Sequence, residues 1–172
     1  MRTRLEPLRR LGYCSGWMDY DRLIVLLRAL ERYDVEYVLV GGVALNVHGI
    51  VRATEDVDLF VRSDPENVAK VRAALRAVWP DPDIEQITAA DLAGPYPTIR
   101  YGPPGEDFVI DFLSRLGTEF RFEDLHTEDI VLDGVHVRVA SPDTLYRMKK
   151  DTVRPIDRAD AAVLKDKFGL KD

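Results

Sequence analysis

Apolar positions along the chain change period several times, and each change marks an element. Leu23, Leu26, Leu27 and Leu30 recur at helical spacing, with Asp19 or Asp21 placed to cap the helix they predict. Tyr37 to Val40 is a short continuous apolar run, which predicts a buried strand. Gly41-Gly42 breaks that run, and Val43 to Val47 predicts a brief helix ended by Gly49. Asp56 to Val61 predicts a second strand; Ser63 or Asp64 then caps a helix with Pro65 in its first turn and a stripe of Val68, Val71, Leu75 and Val78. Pro80 and Pro82 stop it. Pro97–Tyr101 and Asp107–Leu113 predict paired strands across Gly102-Pro103-Pro104-Gly105. Asp133-Gly134, between Ile130–Leu132 and Val135–Val139, is the strongest hairpin signal in the chain. Two helices close the pattern, one opened by Ser141-Pro142-Asp143 and one from about Pro155 to Phe168.

Strands and helices interleaved in this way predict an α/β (α+β) fold: a small mixed-sheet core over 18–140 with a C-terminal helical part over 141–172. Residues 1–17 lack sustained periodicity and contain Pro7, Gly12 and Gly16, which predicts a loose arm and leaves Met18 as an alternative start. A chain of 172 residues is long enough for one real core. No uncharged apolar run is long enough to span a bilayer, and no continuous apolar segment follows Arg2, Arg4, Arg9 and Arg10. The expectation is a cytoplasmic protein with no membrane role. The single cysteine, Cys14, has no metal-ligand companion and is read as incidental.

The formal charge of −6 argues against a protein that binds nucleic acid over its whole surface, while leaving room for a local basic groove. Basic residues gather near both ends, the second group being Arg147, Lys149, Lys150 and Arg154. Any such run is as readily a solvated helix face.

Three carboxylates change the picture. Side chains at i and i+2 of a strand point the same way, roughly 6–7 Å apart, so Asp56 and Asp58 can reach one ion while Val57 and Leu59 face the core. Asp111 interrupts the apolar run Phe108–Leu113. A carboxylate in such a run is costly unless paired or metal-bound, and Mg²⁺ prefers carboxylate and phosphate oxygens. Charge protection of a strand edge would also explain Asp56 and Asp58 taken alone. Gly41-Gly42 reads by itself as a tight turn. Followed by a helix and, 14 residues on, by Asp-x-Asp, it reads as a turn that lets phosphate approach backbone N–H groups. Three carboxylates on adjacent strands suit two divalent ions and a nucleoside triphosphate, which implies nucleotidyl transfer.

The stretch Tyr37-Val-Leu-Val-Gly41-Gly42-Val-Ala-Leu-Asn-Val-His48-Gly49-Ile-Val-Arg52-Ala-Thr54-Glu-Asp56-Val-Asp58-Leu resembles the core of the DNA polymerase β-type nucleotidyltransferase superfamily. Its Arg-x-Thr-x-Asp-x-Asp form is similar to the AbiEii/MenT-like toxin branch. So are the tail segments Ser141-Pro142-Asp143-Thr-Leu-Tyr-Arg-Met148-Lys149 and Arg154-Pro155-Ile-Asp157-Arg-Ala-Asp160. The resemblance implies that Asp56, Asp58 and Asp111 ligate Mg²⁺, that Gly41 and Gly42 hold phosphates, and that Lys149 contacts the triphosphate. Arg52 would offset phosphate charge or order the Asp-x-Asp strand by pairing with a carboxylate. Lys150 and Arg154 are expected to bind the acceptor. The partners implied are an NTP, RNA as acceptor with the tRNA 3′ end first, and a cognate antitoxin. Several toxins of the branch carry Gly-Ser where this chain has Gly41-Gly42, which removes a hydroxyl at position 42.

Two other readings stay open: adenylyl transfer to a protein or a small hydroxylated molecule, and a non-catalytic nucleotide-binding module. His48 reads as a helix-end residue, and His126 and His136 stand alone. Asp157 and Asp160 share a helix face, either as a helix-start preference or as anchors for Arg154 or Lys149. Trp17 and Trp79 read as packing residues.

Overall fold

The structure, a computed structural model, describes residues 18–171; the expected arm over 1–17, with Cys14 and Trp17, lies outside the described residues. Helix α1 (Tyr20–Arg32) starts where the Asp19 side chain accepts the backbone N–H groups of Asp21 and Arg22. Its leucines, Leu23, Leu26, Leu27 and Leu30, are buried. Strand β1 (Tyr37–Val40) is buried throughout and passes directly into α2 (Gly41–Val47), which begins at the glycine pair itself. Strand β2 (Asp56–Val61) is followed by α3 (Pro65–Val78), capped by Asp64 with proline in its first turn.

Next come a 3-10 turn (Pro82–Gln86), the short helix α4 (Ala89–Ala93), and strands β3 (Thr98–Tyr101) and β4 (Val109–Leu113). A two-stranded ribbon, β5 (Arg115–Leu116) with β6 (Phe120–Arg121), leads to the hairpin β7 (Thr127–Leu132) and β8 (Val135–Ala140). Helices α5 (Pro142–Lys149), capped by Ser141, and α6 (Pro155–Phe168) finish the chain.

Six strands form one mixed sheet in the order β3-β4-β2-β1-β8-β7. β2 runs antiparallel to β1 and parallel to β4, and β1 runs parallel to β8. The parallel register sets Val57 against Ile110 and Leu59 against Phe112, and all four are fully buried. The same register sets Asp58 against Asp111. Alternation therefore puts the two carboxylates together on the opposite face, on neighbouring strands about 4.8 Å apart. The predicted β3/β4 hairpin is present, with Arg100 directly opposite Asp111. Its turn is fastened to the body by Glu106, whose carboxylate takes hydrogen bonds from Arg22 and from the buried Trp79 indole at 2.9 Å. Trp79 packs as expected.

α1 packs on α3 and β8, whereas α2 lies against β1, β2 and α5, and α5 lies against α6. The stretch 82–93, read from sequence only as a helix stop, instead holds two short capped elements. Asp81 and Thr88 cap them, while Ile84, Ile87 and Leu92 are buried beneath. No helix among the described residues is long and apolar enough to cross a membrane.

Candidate active site

A cleft of about 440 Å³ opens over the start of β2. Gly41, Gly42, Arg52, Asp56, Asp58, Asp111, Lys149 and Arg154, eight of the residues singled out from sequence, line it together. Lys150 does not border it; its ammonium lies over the Tyr146 ring, 5.7 Å from the centroid. His48 is also elsewhere, at the C-cap of α2 with Nε2 2.8 Å from the Ala140 carbonyl oxygen.

The turn and the carboxylates are fitted to each other. Gly41 has φ +69°, and a Cβ there would stand 2.0 Å from Asp58 Oδ2. Any side chain at position 41 would thus be strained and would drive the carboxylate away. Gly42 is similarly close-packed, with Thr54 Cβ and Oγ1 each 3.0 Å from where a Cβ would be. A serine at position 42 would press on the Thr54 side chain, which would have to give by a small shift. α2 opens without a side-chain cap, its N-cap being Val40, so the first backbone N–H groups are left for another acceptor.

Burial, then the charges of Asp111 and Asp56, push the Asp58 carboxyl up to about 6, against the opposing charges of Lys149 and Arg100. Asp111 has a partner that the sequence reading did not find. Arg100 Nε donates to Asp111 Oδ1 at 2.9 Å and Nη2 to Oδ2 at 2.8 Å, while Nη2 stands 3.5 Å from Asp56 Oδ2. A carboxylate in an apolar strand is costly unless paired or metal-bound, and this guanidinium is the pairing. Its signal was the hairpin register, which places Arg100 across from Asp111.

On the other wall, Lys149 Nζ donates to Asp157 Oδ1 at 2.8 Å and to Asp160 Oδ2 at 3.0 Å. Of the two readings open for these aspartates, the anchoring of the lysine is the arrangement found. Arg52 Nε lies 3.4 Å from Asp160 Oδ1, so its carboxylate partner is on α6 and not on the Asp-x-Asp strand. Burial raises the Asp157 pKa, but the hydrogen bond and charge of Lys149, with Arg154 and Thr152, bring it below the usual carboxylate range. The loop before β2, the end of α5 and the final helix are thereby tied together around one cleft.

The fold agrees with what the comparisons find. Over 87% of this chain and 88% of the other, the structure is similar to the crystal structure of ANT(2")-Ia in complex with adenylyl-2"-tobramycin, with a TM-score of 0.52 and 16% sequence identity. At that identity the likeness shows a shared fold. No curated protein matches the chain significantly. The family model described as nucleotidyl transferase AbiEii toxin, type IV toxin-antitoxin system, matches residues 24–161, which include β1, the glycine turn, all three strand aspartates, Lys149 and both α6 aspartates. The chain belongs to the AbiEii family of nucleotidyltransferase toxins.

Proposed function

We propose that this nucleotidyltransferase moves a nucleoside monophosphate from an NTP to RNA, with the 3′ end of tRNA as acceptor and Mg²⁺ as cofactor, and that a cognate antitoxin restrains it. The observation that carries the reading is the gathering, in one cleft, of a glycine turn, three strand carboxylates and the cations Lys149 and Arg154.

The donor set suits a hard divalent cation, since it offers carboxylate oxygens and the Asp58 pKa is held up by burial and then by its like-charged neighbours. Among the described residues, no three carboxylate, imidazole or thiol groups are gathered tightly enough to grip an ion by themselves. Phosphate oxygens of the nucleotide would complete such a site. Asp56, Asp58 and Asp111 would hold Mg²⁺, which when bound supplies charge for the leaving pyrophosphate and lowers the pKa of the attacking hydroxyl.

The chain's own residues do the rest. The uncapped start of α2 would present N–H groups to the β- and γ-phosphates, while the missing Gly41 side chain leaves the Asp58 carboxylate its place beside that turn. Lys149, held by two carboxylates, offers a fixed positive charge to the triphosphate. Arg154, paired with Asp157 at 3.7 Å but with its side chain 73% exposed at the cleft mouth, is within reach of an acceptor phosphate. Lys150, outside the cleft, would serve only parts of an acceptor beyond it.

The acceptor is tested by supplying radiolabelled NTP with intact tRNA, with tRNA whose 3′ diol has been oxidised by periodate, with an aminoglycoside, and with total protein. Label is expected on intact tRNA and not on the oxidised form. Arg154→Ala should weaken tRNA use at low salt, with the difference shrinking as salt rises because about one phosphate contact is lost. Label on the aminoglycoside or on protein would instead establish the alternative adenylyl acceptors.

A further inference from the structure

Arg100 behaves as a cation of the carboxylate site from the edge strand β3, directly opposite Asp111 in the same hairpin. It uses both oxygens of Asp111 and reaches Asp56, so the ion pairs of those two carboxylates among the described residues go to the same guanidinium. The cleft's other cations have different ion-pair partners: Lys149 is paired with Asp157 and Asp160, Arg52 with Asp160, and Arg154 with Asp157. Asp111 cannot turn both oxygens to an arginine fork and also face a divalent ion in the same direction.

Arg100 is moreover placed to leave. Its side chain is 63% exposed, whereas that of Asp111 is only 13% exposed. A second cavity of about 670 Å³ adjoins strand β3, and Arg100 lines both spaces. Asp83 and Asp91 line that second cavity and offer carboxylate oxygens to a displaced guanidinium.

Resting on the Mg²⁺ reading above, we propose that Arg100 is a built-in competitor of the divalent ion. It neutralises Asp111 and Asp56 in the metal-free protein, and it yields Asp111 when metal and nucleotide arrive, swinging toward the neighbouring cavity. Arg100 therefore sets the metal affinity of the site and keeps the empty carboxylates together. It is a positioning residue, and its loss makes the site bind metal more tightly at the expense of the empty protein's order. An exposed ion pair costs little to break, so the competition is mild and a triphosphate-bound metal overcomes it.

The test measures Mn²⁺ binding by electron paramagnetic resonance, without nucleotide and again with NTP against an NTP-only blank, in the wild-type chain, Arg100→Gln and Arg100→Lys, each checked for a native circular dichroism spectrum, and the comparison is read in whichever condition the wild type binds. Arg100→Gln should bind Mn²⁺ about two- to fivefold tighter, as expected when one exposed charge pair no longer has to be broken. Arg100→Lys, a point charge without the fork, should fall between. The metal-free Arg100→Gln protein should melt below wild type and gain more from added Mn²⁺. Unchanged or weaker Mn²⁺ binding by folded Arg100→Gln overturns the competition and leaves Arg100 as an orienting partner of Asp111. If neither chain binds Mn²⁺ even with NTP present, the metal reading itself fails, which is a distinguishable result.

Discussion

Asp58→Asn is expected to abolish transfer and at the same time to stabilise the protein at neutral pH. The loss of function follows from its place, with Gly41 packed against its carboxylate and Asp111 opposite on the next strand. Removing one carboxylate shared by the reacting charges should lower turnover by about a thousandfold or more, equivalent to ~4 kcal/mol. The gain in stability follows from its pKa. Raised to about 6 in the fold, Asp58 is protonated more readily there than in the unfolded chain. The folded state therefore loses stability as pH rises through the window from the ordinary carboxylate value to about 6, and above it carries a constant penalty of at most about 3 kcal/mol. Asparagine carries no such charge. Thermal melts at about pH 4.5 and pH 7.5 check the sign: the variant should gain on wild type between the two, by several degrees for a chain of this size. Saturating Mg²⁺ with NTP should remove the advantage by stabilising wild type alone. A variant that lost stability equally at both pH values would show that burial and neighbouring charge do not raise the Asp58 pKa.

Lys149→Ala should have the second large effect, opposite in stability to that of Asp58→Asn. Lys149, Asp157 and Asp160 have side chains only 13%, 11% and 8% exposed. Deleting the ammonium leaves two buried carboxylates with less compensation, a change that costs about 3–5 kcal/mol when a buried pair is broken. The Asp157 carboxyl, depressed in the fold, contributes stability above its unfolded pKa that is lost as pH falls through the folded one. The Lys149→Ala chain should thus lose most of that acid-side slope as well as its activity. Adding Asp157→Asn and Asp160→Asn should restore much of the stability without restoring transfer. Recovery of both together would mean that Lys149 serves only the packing of α6, and that the triphosphate contact is mistaken.

These two residues illustrate what a linear sequence discloses. The Asp-x-Asp pair was legible because strand alternation ties i to i+2, and its partner Asp111 because a lone charge stands out in an apolar run. The glycine turn was legible from the abrupt end of the Tyr37–Val40 run, though not its contact with Asp58, which depends on the antiparallel pairing of Val40 with Asp58. Arg100 was not singled out. Its importance arises from register across a proline-containing hairpin, and nothing local distinguishes it from an exposed strand arginine. Lys149 and Lys150 were grouped as neighbours, yet one step along a helix turns the side chain by about 100°, so that one enters the cleft and the other covers Tyr146. The short elements between Asp81 and Ala93 carry too few apolar positions to show a period, and their side-chain caps act over two or three residues.

The account rests most directly on which phosphorus atom the cleft transfers. Parallel reactions with NTP radiolabelled at the α- or the γ-phosphate, in the presence of Mg²⁺ and RNA, decide it. The α-label should become bound to RNA, the γ-label should leave as pyrophosphate, and neither should occur with Asp58→Asn. Transfer of the γ-label to RNA, or release of inorganic phosphate without α-labelled product, would contradict nucleotidyl transfer at Asp56, Asp58 and Asp111.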